Sequence, residues 1–398
     1  MKERRAKPEG NAWESGSAIR RSLPVLGPAK RIHVMHVIPT LNCGGAERIC
    51  VEIARGLSPE RFAAVVLTLE PISDTRLVRD LHSANIRIDT LKKCRGPDLR
   101  MFQRFAGALK RYKPDILHTH MYVMPYVGLA RWLKRIPSVH TVHNVAEKDA
   151  TGLVRLSNSL AFRLGTIPIG ISPRVRDSID SLYHPRRVTL ITNGIDLRSF
   201  RQAQEVRSDW RLRNGYAERD FVIASVGRLD PQKNFPILLA AFAELGHRHD
   251  ELKLMIAGEG QCRKDLEKKI DELHIGDRVR LAGERSDIPE MLLACDLYVT
   301  TSLWEGNPLS VMEAMAAGLS VVASAVGGIP DLIDDGISGI LLTPNDQKQL
   351  VHSVEKMIDC PEQRRRLGEA ARTKAFRTMD VLGMVRAYEE LYEQLLIV

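Results

Sequence analysis

Short apolar segments alternate with longer amphipathic segments along almost the whole chain. Ten or more residues of helical pattern separate successive apolar segments, and this alternation is typical of parallel sheets covered by helices on both faces. Two such series predict an α/β fold with two doubly wound, parallel-sheet domains that face each other across a cleft. The strand-like segments are IHVMHVI, FAAVVLTL, IRIDTL, DILHTH, SVHTVHN and TIPIGIS in the first series, and FVIASVG, LKLMIAG, RVRLAG, DLYVTTS, LSVVAS and SGILLT in the second.

The same pattern divides the 398 residues into five segments. Residues 1–30 contain basic residues but no apolar run, and we expect a disordered basic tail. Residues 31–200 are predicted to form the N-terminal domain, and residues 221–375 the C-terminal domain. The polar, weakly patterned residues 201–220 are predicted to be a linker. Residues 376–398 are helical in pattern and could cross back to the first domain.

Three observations favour a cytoplasmic protein. No apolar run reaches the length of a membrane-spanning helix, and the N-terminus lacks the apolar core of a secretory signal. The cysteines form no CxxC pair, which argues against zinc and favours reduced thiols. They are Cys43, Cys50, Cys94, Cys262, Cys295 and Cys360.

The net charge is +9, and residues 1–31 supply +5 of it. Without a recognisable nucleic-acid module, this charge favours anionic substrates or an anionic membrane surface. Basic and apolar residues are interleaved in RGPDLRMFQRFAGALKRYKP (95–114) and VGLARWLKRIP (127–137). One interpretation is a loose contact of the first domain with the inner face of the membrane. The other is ordinary amphipathic helices with apolar faces in the core and solvated charges.

The segment WEGNPLSVMEAMAAG (304–318) combines two carboxylates with a helix-start signal. Asn307 is expected to cap the helix and Pro308 to occupy its first position, while Gly318 is expected to end it. Glu305 then lies on the loop before the helix, and Glu313 lies one to two turns inside it.

The predicted helix start suits a phosphate group. The backbone N–H groups of Leu309 and Ser310 point out of the first turn, where anions bind. A carboxylate beside phosphate needs another task, and accepting hydrogen bonds from sugar hydroxyls is such a task. The segment therefore predicts a sugar–phosphate ligand. The alternative is a buried helix with two solvated acids.

Glycines follow two of the predicted strands. Gly44 and Gly45 in NCGGAER would let a helix start approach a ligand closely, and Gly258 and Gly260 form a second turn after LKLMIA. Plain strand-to-helix turns would have the same composition. Neither segment is GxGxxG, so a dinucleotide cofactor is not expected.

The loop GRLDPQKN (227–234) places Arg228 and Lys233 directly after an apolar strand. A guanidinium and an ammonium that converge on one point can neutralise a diphosphate. The alternative is a solvated basic loop.

Four histidines lie at two predicted strand ends, but their spacing lacks an i, i+4 pair or neighbouring carboxylates, so no metal site is expected. His143 is expected to bind a sugar hydroxyl or a backbone carbonyl, and His118 and His140 to be structural. The fourth is His120. Asn193 begins NGID, which is a turn by composition.

Together these motifs resemble a known family. GGAER, TVHN, NGID, GRLDPQKN, GEG and above all EGNPLSVME followed by AMAAG are similar to the retaining glycosyltransferases of the GT-B fold, the large glycosyltransferase family 4 (glycosyl transferases group 1). The likeness runs from about residue 31 to the C-terminus. It implies two Rossmann-like domains, with residues 31–200 as the acceptor-side domain and residues 221–375 as the nucleotide-sugar-binding domain. The activity implied is that of a hexosyl- or N-acetylhexosaminyl-transferase with no cofactor. Its partners would be a nucleotide-sugar donor and a saccharide or lipid-linked saccharide acceptor.

The resemblance also implies residue roles. Glu305 would bind donor-sugar hydroxyls, Glu313 the ribose diol, and Arg228 with Lys233 the departing diphosphate. The N–H groups at Leu309 and Ser310 would hold phosphate. Catalytic roles are expected for Arg228, Lys233, Glu305 and His143, and substrate binding for Gly44, Gly45, Asn193, Gly258, Gly260, Asn307, Pro308, Leu309, Ser310 and Glu313.

One departure concerns the sugar pocket, because family members often have Glu-Gly-Phe-Gly where this chain has Glu-Gly-Asn-Pro at 305–308. The identity of the donor sugar therefore stays open. The sequence also leaves the donor nucleotide, UDP or GDP, open. The function expected is retaining sugar transfer in cell-surface polysaccharide or glycolipid synthesis. A nucleotide-sugar epimerase or hydrolase and a non-catalytic nucleotide-sugar-binding protein are the alternatives.

Overall fold

The computed structural model describes residues 31–94, 96, 98–201 and 204–397. Two parallel β-sheets carry the fold, as the alternating pattern predicts. The strands of the first sheet are β1 (Ile32–Ile38), β2 (Phe62–Thr68), β3 (Arg87–Thr90), β4 (Ile116–His120), β5 (Ser138–Val142), β6 (Ile167–Gly170) and β7 (Thr189–Leu190). Those of the second are β8 (Phe221–Val226), β9 (Leu252–Ala257), β10 (Val279–Leu281), β11 (Leu297–Thr300), β12 (Ser320–Ser324) and β13 (Ile340–Leu342).

Helices cover both faces of each sheet. In the first half of the chain they are α1 (Gly45–Gly56), α2 (Arg76–Ser83), α3 (Arg100–Tyr112), α4 (Met124–Lys134), α5 (Ala146–Asp149), α6 (Gly152–Arg163) and α7 (Pro173–Tyr183). In the second half they are α8 (Gln204–Asn214), α9 (Phe235–Gly246), α10 (Arg263–Glu272), α11 (Ile288–Ala294), α12 (Leu309–Ala316), α13 (Ile329–Leu332), α14 (Gln347–Asp359), α15 (Pro361–Thr378) and α16 (Val381–Ile397).

Strand order places a ligand crevice in each domain. The first sheet has the order β3-β2-β1-β4-β5-β6-β7 and the second β10-β9-β8-β11-β12-β13, with every pair parallel. The order reverses between β1 and β4 and again between β8 and β11. In open α/β sheets, ligands bind outside the carboxyl ends of the strands at this reversal point. We therefore expect the functional residues to lie on the loops after these four strands.

Residues 201–220 are not an extended linker as predicted. Most of them form helix α8, which packs against helix α11 of the second domain. Trp210 is fully buried, and so is Arg211, whose guanidinium contacts the Asp296 carboxylate at 2.6 Å. Arg211 also donates to the carbonyls of Ala294 and Asp220. The polar composition hides this role because a buried arginine is stable only when it is fully paired, which the sequence pattern does not show.

The C-terminal helix α16 returns to the first domain. Its Tyr392 hydroxyl lies 2.6 Å from Nδ1 of His118, and its Glu389 carboxylate accepts a 2.6 Å hydrogen bond from the backbone N–H of Ser58. A Cβ on Gly56 at the end of α1 would collide with Val385 of α16. The last helix therefore completes the core of the first domain.

Helix α3 does not present the apolar face that a membrane contact would require. Met101, Phe105 and Leu109 are buried in the core of the first domain. Arg104 donates to the carbonyl of Leu91, and Arg111 pairs with a carboxylate on β3. For 95–114 the structure thus favours the amphipathic core helix. Arg95, the tail 1–30 and the side chains of 129–133 lie outside what the structure describes.

Within the described ranges, none of the helices combines the length and the apolar character needed to cross a membrane.

Candidate active site

The loops after the four switch-point strands converge on the gap between the domains. Strand β1 leads to Gly44 and α1, and β4 ends at His120 in the first domain. In the second domain β8 leads to Arg228 and β11 to Glu305. Three side-chain contacts, described below, join helix α1 and the segments after β6 and β7 to residues 307–313 of the second domain. The predicted site residues are therefore brought to one cleft.

Glu305 is held by an ion pair within its own domain. The ammonium of Lys233 lies 2.5 Å from Glu305 Oε1, and the hydroxyl of Ser302 donates to the same oxygen at 2.7 Å. The Lys233 and Glu305 side chains are 15% and 7% exposed. The backbone of the lysine loop is fixed in turn by the Thr301 hydroxyl, which donates to the Lys233 carbonyl. The second carboxylate oxygen, Glu305 Oε2, accepts a longer hydrogen bond of 3.4 Å from Gln232 Nε2.

Three glycines let other backbone segments close around the Glu305 loop. A Cβ on Gly306 would overlap the carbonyl of His143 from the first domain, and one on Gly327 (φ +51°) would overlap the carbonyl of Glu305. Gly328 donates to the Gly306 carbonyl at 2.9 Å. The Gly327–Gly328 pair was not predicted to belong to the site, although a glycine pair three residues after a strand (β12) is a signal of close backbone approach.

The start of α12 differs in detail from the predicted cap. Pro308 is the N-cap residue rather than the first helical residue, and Asn307 does not cap the helix. Instead, Asn307 Nδ2 donates to the carbonyl of Ile171 in the first domain at 2.6 Å, and Asn193 Nδ2 donates to the Asn307 carbonyl at 3.1 Å. The asparagine side chain is therefore used to join the domains. Gly318, with φ +82°, follows the helix end as predicted.

An anion site at this helix start stays a prediction. The first-turn N–H groups of Leu309 and Ser310 have no intrahelical acceptor, as at any helix N-terminus. They lie three and four residues after Gly306, beside the Lys233–Glu305 pair. The helix start and the ammonium together provide positive potential for a phosphate group.

Glu313 is paired from the opposite domain. Arg48 Nη1 on α1 lies 2.5 Å from Glu313 Oε1, and the carboxylate side chain is only 4% exposed. The neighbouring Glu313 charge raises the pKa of the Arg48 guanidinium. Arg48 was not among the predicted site residues, because nothing in the sequence couples two positions that are 265 residues apart. One Glu313 oxygen stays free of this bond.

Arg228 lies on the open side of the cleft. Its side chain is 66% exposed and pairs with Asp230 at 2.8 Å. The Arg228 charge also counteracts, in part, the rise that burial causes in the pKa of Glu47 on α1, which places the guanidinium opposite the first domain. Gly258 and Gly260 support this loop, since a Cβ on either would overlap the carbonyls of Gly227 and Leu229. Their direct contact with a ligand stays a prediction.

The start of α1 leaves room beside its backbone. Helix α1 begins at Gly45 with Gly44 as the N-cap. A Cβ on Gly44 would overlap the Glu47 carboxylate, whereas a Cβ on Gly45 would meet no atom within 4 Å. Packing therefore explains why a glycine is needed at Gly44 but gives no such reason at Gly45. Open space at Gly45 is what the predicted close approach of a ligand requires.

Histidines form a buried hydrogen-bonded chain below the cleft. His36 Nδ1 lies 3.3 Å from His120 Nε2, and His120 Nδ1 lies 3.1 Å from His143 Nε2. His118 stacks on His120, with 4.1 Å between the ring centroids. His140 contacts the Thr119 hydroxyl at 2.9 Å. His36 was not predicted to belong to this group. Its side chain points to the same face as the strand-end histidines because β1 and β4 are paired with His36 opposite His118.

Burial keeps these rings neutral. It lowers the pKa of His143 and of His36 to about 3 and the pKa of His140 to about 4. His36 Nε2 is buried without a partner among the described residues. A buried bare nitrogen is more easily tolerated than an orphaned N–H donor, so the favoured tautomers donate from His36 to His120 and from His120 to His143. His143 Nδ1 then carries the proton and acts as a donor.

A metal ion fits this cluster poorly. Ring nitrogens of His36, His118 and His120 lie within 4.8 Å of one another. However, both nitrogens of His118 already contact hydroxyls, of Tyr392 at 2.6 Å and Thr141 at 2.7 Å. Stacked rings also direct their in-plane lone pairs side by side, not toward one point. The geometry suits a hydrogen-bonded network better than a metal centre.

Family models match both halves of the chain. The model described as "Glycosyltransferase Family 4" matches residues 43–199, and the model described as "Glycosyl transferases group 1" matches residues 206–374. The boundary between the two matches falls at the start of α8, which is consistent with that helix being part of the second domain.

Curated relatives are glycosyltransferases. The chain is 29% identical over 348 residues to an Escherichia coli UDP-Gal:alpha-D-GlcNAc-diphosphoundecaprenol alpha-1,3-galactosyltransferase, covering 83% of this chain and 88% of the relative. It is 26% identical to a Bacillus anthracis N-acetyl-alpha-D-glucosaminyl L-malate synthase, covering 75% and 80%.

Solved structures share the fold. Anabaena HepE in complex with UDP and glucose superposes with a TM-score of 0.82 at 22% identity, covering 92% of this chain and 100% of HepE. WaaG, a glycosyltransferase involved in lipopolysaccharide biosynthesis, has a TM-score of 0.73 at 19% identity, covering 91% and 99%. The motifs, the two-domain fold and the paired family matches lead to one conclusion: the chain belongs to glycosyltransferase family 4 (glycosyl transferases group 1) and is a glycosyltransferase of the GT-B fold.

Proposed function

We propose that this enzyme transfers a hexosyl or N-acetylhexosaminyl group from a nucleoside-diphosphate sugar to an acceptor hydroxyl with retention of the anomeric configuration. The observation that carries the proposal is the buried Lys233–Glu305 pair beside the start of α12, with Glu313 one turn further along the same helix. One ammonium, one helix start and two carboxylates at this spacing match the charges and hydroxyls of a nucleotide sugar.

Each group then has a distinct part of the donor to bind. Glu305 Oε2, which also accepts the 3.4 Å contact from Gln232, accepts hydrogen bonds from sugar hydroxyls, and Glu313 Oε2 accepts them from the ribose. Lys233 has N–H groups beyond the one directed at Glu305, and these face the diphosphate together with the exposed Arg228. His143, neutral and donating from Nδ1, is placed to bind a hydroxyl oxygen of the sugar.

The transfer step needs no protein nucleophile. The bond between the anomeric carbon and the diphosphate oxygen breaks, and its electron pair leaves with the diphosphate. The acceptor oxygen bonds to the same face of that carbon, and its proton passes to the departing phosphate oxygen. Lys233, Arg228 and the first turn of α12 stabilise the charge that grows on the leaving group.

The substrates named for the relatives support a choice among the candidate donors and acceptors. The E. coli relative uses UDP-Gal and a diphosphoundecaprenol-linked sugar, and HepE was solved with UDP and with UDP-glucose. We therefore favour a UDP-sugar over a GDP-sugar, and a lipid-linked saccharide acceptor in cell-surface polysaccharide or glycolipid synthesis. A cytoplasmic site of action agrees with the six free cysteine thiols.

The test is a panel of UDP- and GDP-sugars, with free nucleotide measured with and without a lipid-linked saccharide acceptor. Nucleotide release that requires acceptor, together with an α-linked product from an α-linked donor, is the expected result. Release without acceptor would indicate a hydrolase, and a new sugar with no transfer an epimerase. Tight donor binding with no turnover would indicate a binding protein. Any of these three outcomes would overturn the proposal.

A further inference from the structure

Asp149 holds the backbone of the segment that carries His143. Its Oδ1 accepts a hydrogen bond from the backbone N–H of His143 at 3.0 Å. Burial raises the pKa of the Asp149 carboxyl to about 7, and the N–H groups of His143 and Asn144 act against this rise. Two neighbouring N–H groups are therefore directed at one carboxylate. Such charge-assisted hydrogen bonds are roughly twice as strong as neutral ones.

A single helical turn brings the carboxylate back to this segment. Helix α5 ends at Asp149, and the N–H of Asp149 donates to the carbonyl of Val145 at 3.0 Å. The turn is attached to α7, since the Ser178 hydroxyl accepts a 2.9 Å hydrogen bond from the N–H of Ala146. Residues 143–149 thus form a closed loop whose shape is set within the first domain.

The held segment contacts the rest of the site at two points. His143 Nε2 lies 3.1 Å from His120 Nδ1, so the histidine chain fixes one edge of the ring. On the side of the second domain, a Cβ on Gly306 would overlap the His143 carbonyl and lie 3.0 Å from the Cα of Asn144. Movement of this backbone would therefore displace both the His143 side chain and the surface against which the Glu305 loop packs.

The position is a costly one for a carboxylate. Asp149 is partly buried, and no lysine, arginine or histidine side chain of the described residues forms an ion pair with it. A buried charge without a cation lowers the stability of the fold, and a neutral asparagine of the same shape would not carry this cost. Folding alone therefore does not explain an acid at position 149. The need for a strong hydrogen-bond acceptor beside the active site does explain it.

We propose that Asp149 is a positioning residue for sugar transfer. Its carboxylate fixes the backbone at His143 and Asn144, so that the His143 ring stays in the orientation in which Nδ1 faces the donor sugar. The inference rests on the sugar-binding role proposed for His143 above. Asp149 acts through His143 and makes no contact of its own with the donor.

The first test observes the His143 ring without any substrate. The full chain, labelled with carbon-13 at histidine Cε1, gives separate NMR signals for its histidines, and the signal that disappears in His143→Ala belongs to His143. Asp149→Asn is expected to shift or broaden this signal, because asparagine offers one neutral acceptor oxygen in place of two charged ones. Glu147→Gln, at an exposed carboxylate of the same helix, is the matched control and should leave the signal unchanged.

Kinetics then separate positioning from a structural role. D149N is expected to lower kcat by roughly 10²-fold at an unchanged KM for the donor, since misplacement of a group in the site by about 1 Å can have this effect. In urea at pH 8, where the pKa of about 7 leaves Asp149 mostly ionised, D149N should be at least as stable as wild type. H143A/D149N should be no slower than H143A alone, because Asp149 acts through His143.

Three outcomes would overturn the proposal. One is an unchanged His143 signal or an unchanged kcat in D149N. Another is a lower urea midpoint of D149N at pH 8, which would indicate a structural role. The third is a double variant whose loss of kcat is the product of the two single losses. The NMR measurement needs no turnover, so failure of the reaction proposed above is distinguishable from failure of the positioning role.

Discussion

Acidification should destabilise the first domain steeply, because five buried histidines must gain protons when it unfolds. Burial lowers the pKa of each ring, to about 3 for His36 and His143, to about 4 for His140, and well below the usual range for His118 and His120. In the unfolded chain each returns to about 6.5. A lowered native pKa means that the unfolded state binds more protons, so stability falls as pH drops below about 6.5.

The magnitude follows from these values. At pH 5 each neutral buried ring costs about 2 kcal/mol relative to its protonated unfolded form, or about 10 kcal/mol for five. Asp149 acts in the opposite direction, since burial raises its pKa to about 7. Its contribution to the free energy of unfolding is fully present below the unfolded pKa of about 4 and is lost as pH rises through 7. At pH 5 it stabilises the folded state by about 2–3 kcal/mol. The net loss of about 7 kcal/mol is comparable to the entire stability of an ordinary domain.

Urea unfolding at a series of pH values measures this effect, with hydrogen exchange on β4 and β5 reporting on the first domain. Near pH 5.5 the unfolding free energy should change by about 5 kcal/mol per pH unit, which corresponds to nearly four protons. His140→Asn removes one titrating ring and should lower the slope by about 1.4 kcal/mol per pH unit. His184→Asn, at an exposed helix end, is the matched control. A flat profile from pH 7 to 5, or an unchanged slope in H140N, would refute the reasoning.

Three further predictions address the cleft. Lys233→Met leaves the buried Glu305 carboxylate unpaired and should lower the unfolding free energy by about 3–5 kcal/mol and turnover by about 10²–10³-fold. Arg228→Met should lower turnover at unchanged stability. Equal unfolding free energies of the two variants in urea would contradict this. Glu313→Gln should weaken UDP binding in calorimetry more than Glu305→Gln, which should mainly slow transfer; equal losses of affinity would argue against separate roles. EDTA should leave turnover intact, and loss that a divalent ion restores would reopen the histidine cluster as a metal site.

The fold was predictable because apolar periodicity reports directly on burial. The twelve predicted apolar segments each contain a strand of the two sheets. Strand β7 was not predicted, since its two residues are too few to show a period. Helix α8 was interpreted as a linker because its polar composition conceals the buried Trp210 and Arg211. Their partners, Asp287 and Asp296, directly precede α11 and β11, which local sequence cannot indicate.

The candidate site was predictable only as a set of loops. Parallel strands bring their carboxyl ends to one edge, so motifs after β1, β8 and β11 could be assigned to a common cleft. The side-chain contacts across the cleft could not be predicted. Arg48 pairs with Glu313, and Asn307 turns away from its own helix to reach Ile171. His36 joins the histidine chain through strand register, which only the assembled sheet defines.

The two glutamates of the 304–318 segment differ in what neutralises them. Glu305 is paired with Lys233 of its own domain, so its ion pair does not depend on how the domains approach each other. Glu313 is paired with Arg48 of the opposite domain, so the state of its carboxylate depends on that approach. Separation of the domains would leave Glu313 without its cation while Glu305 keeps its own. The ion pair at the end of the site assigned to the nucleotide therefore depends on domain closure, whereas the ion pair at the end assigned to the sugar does not.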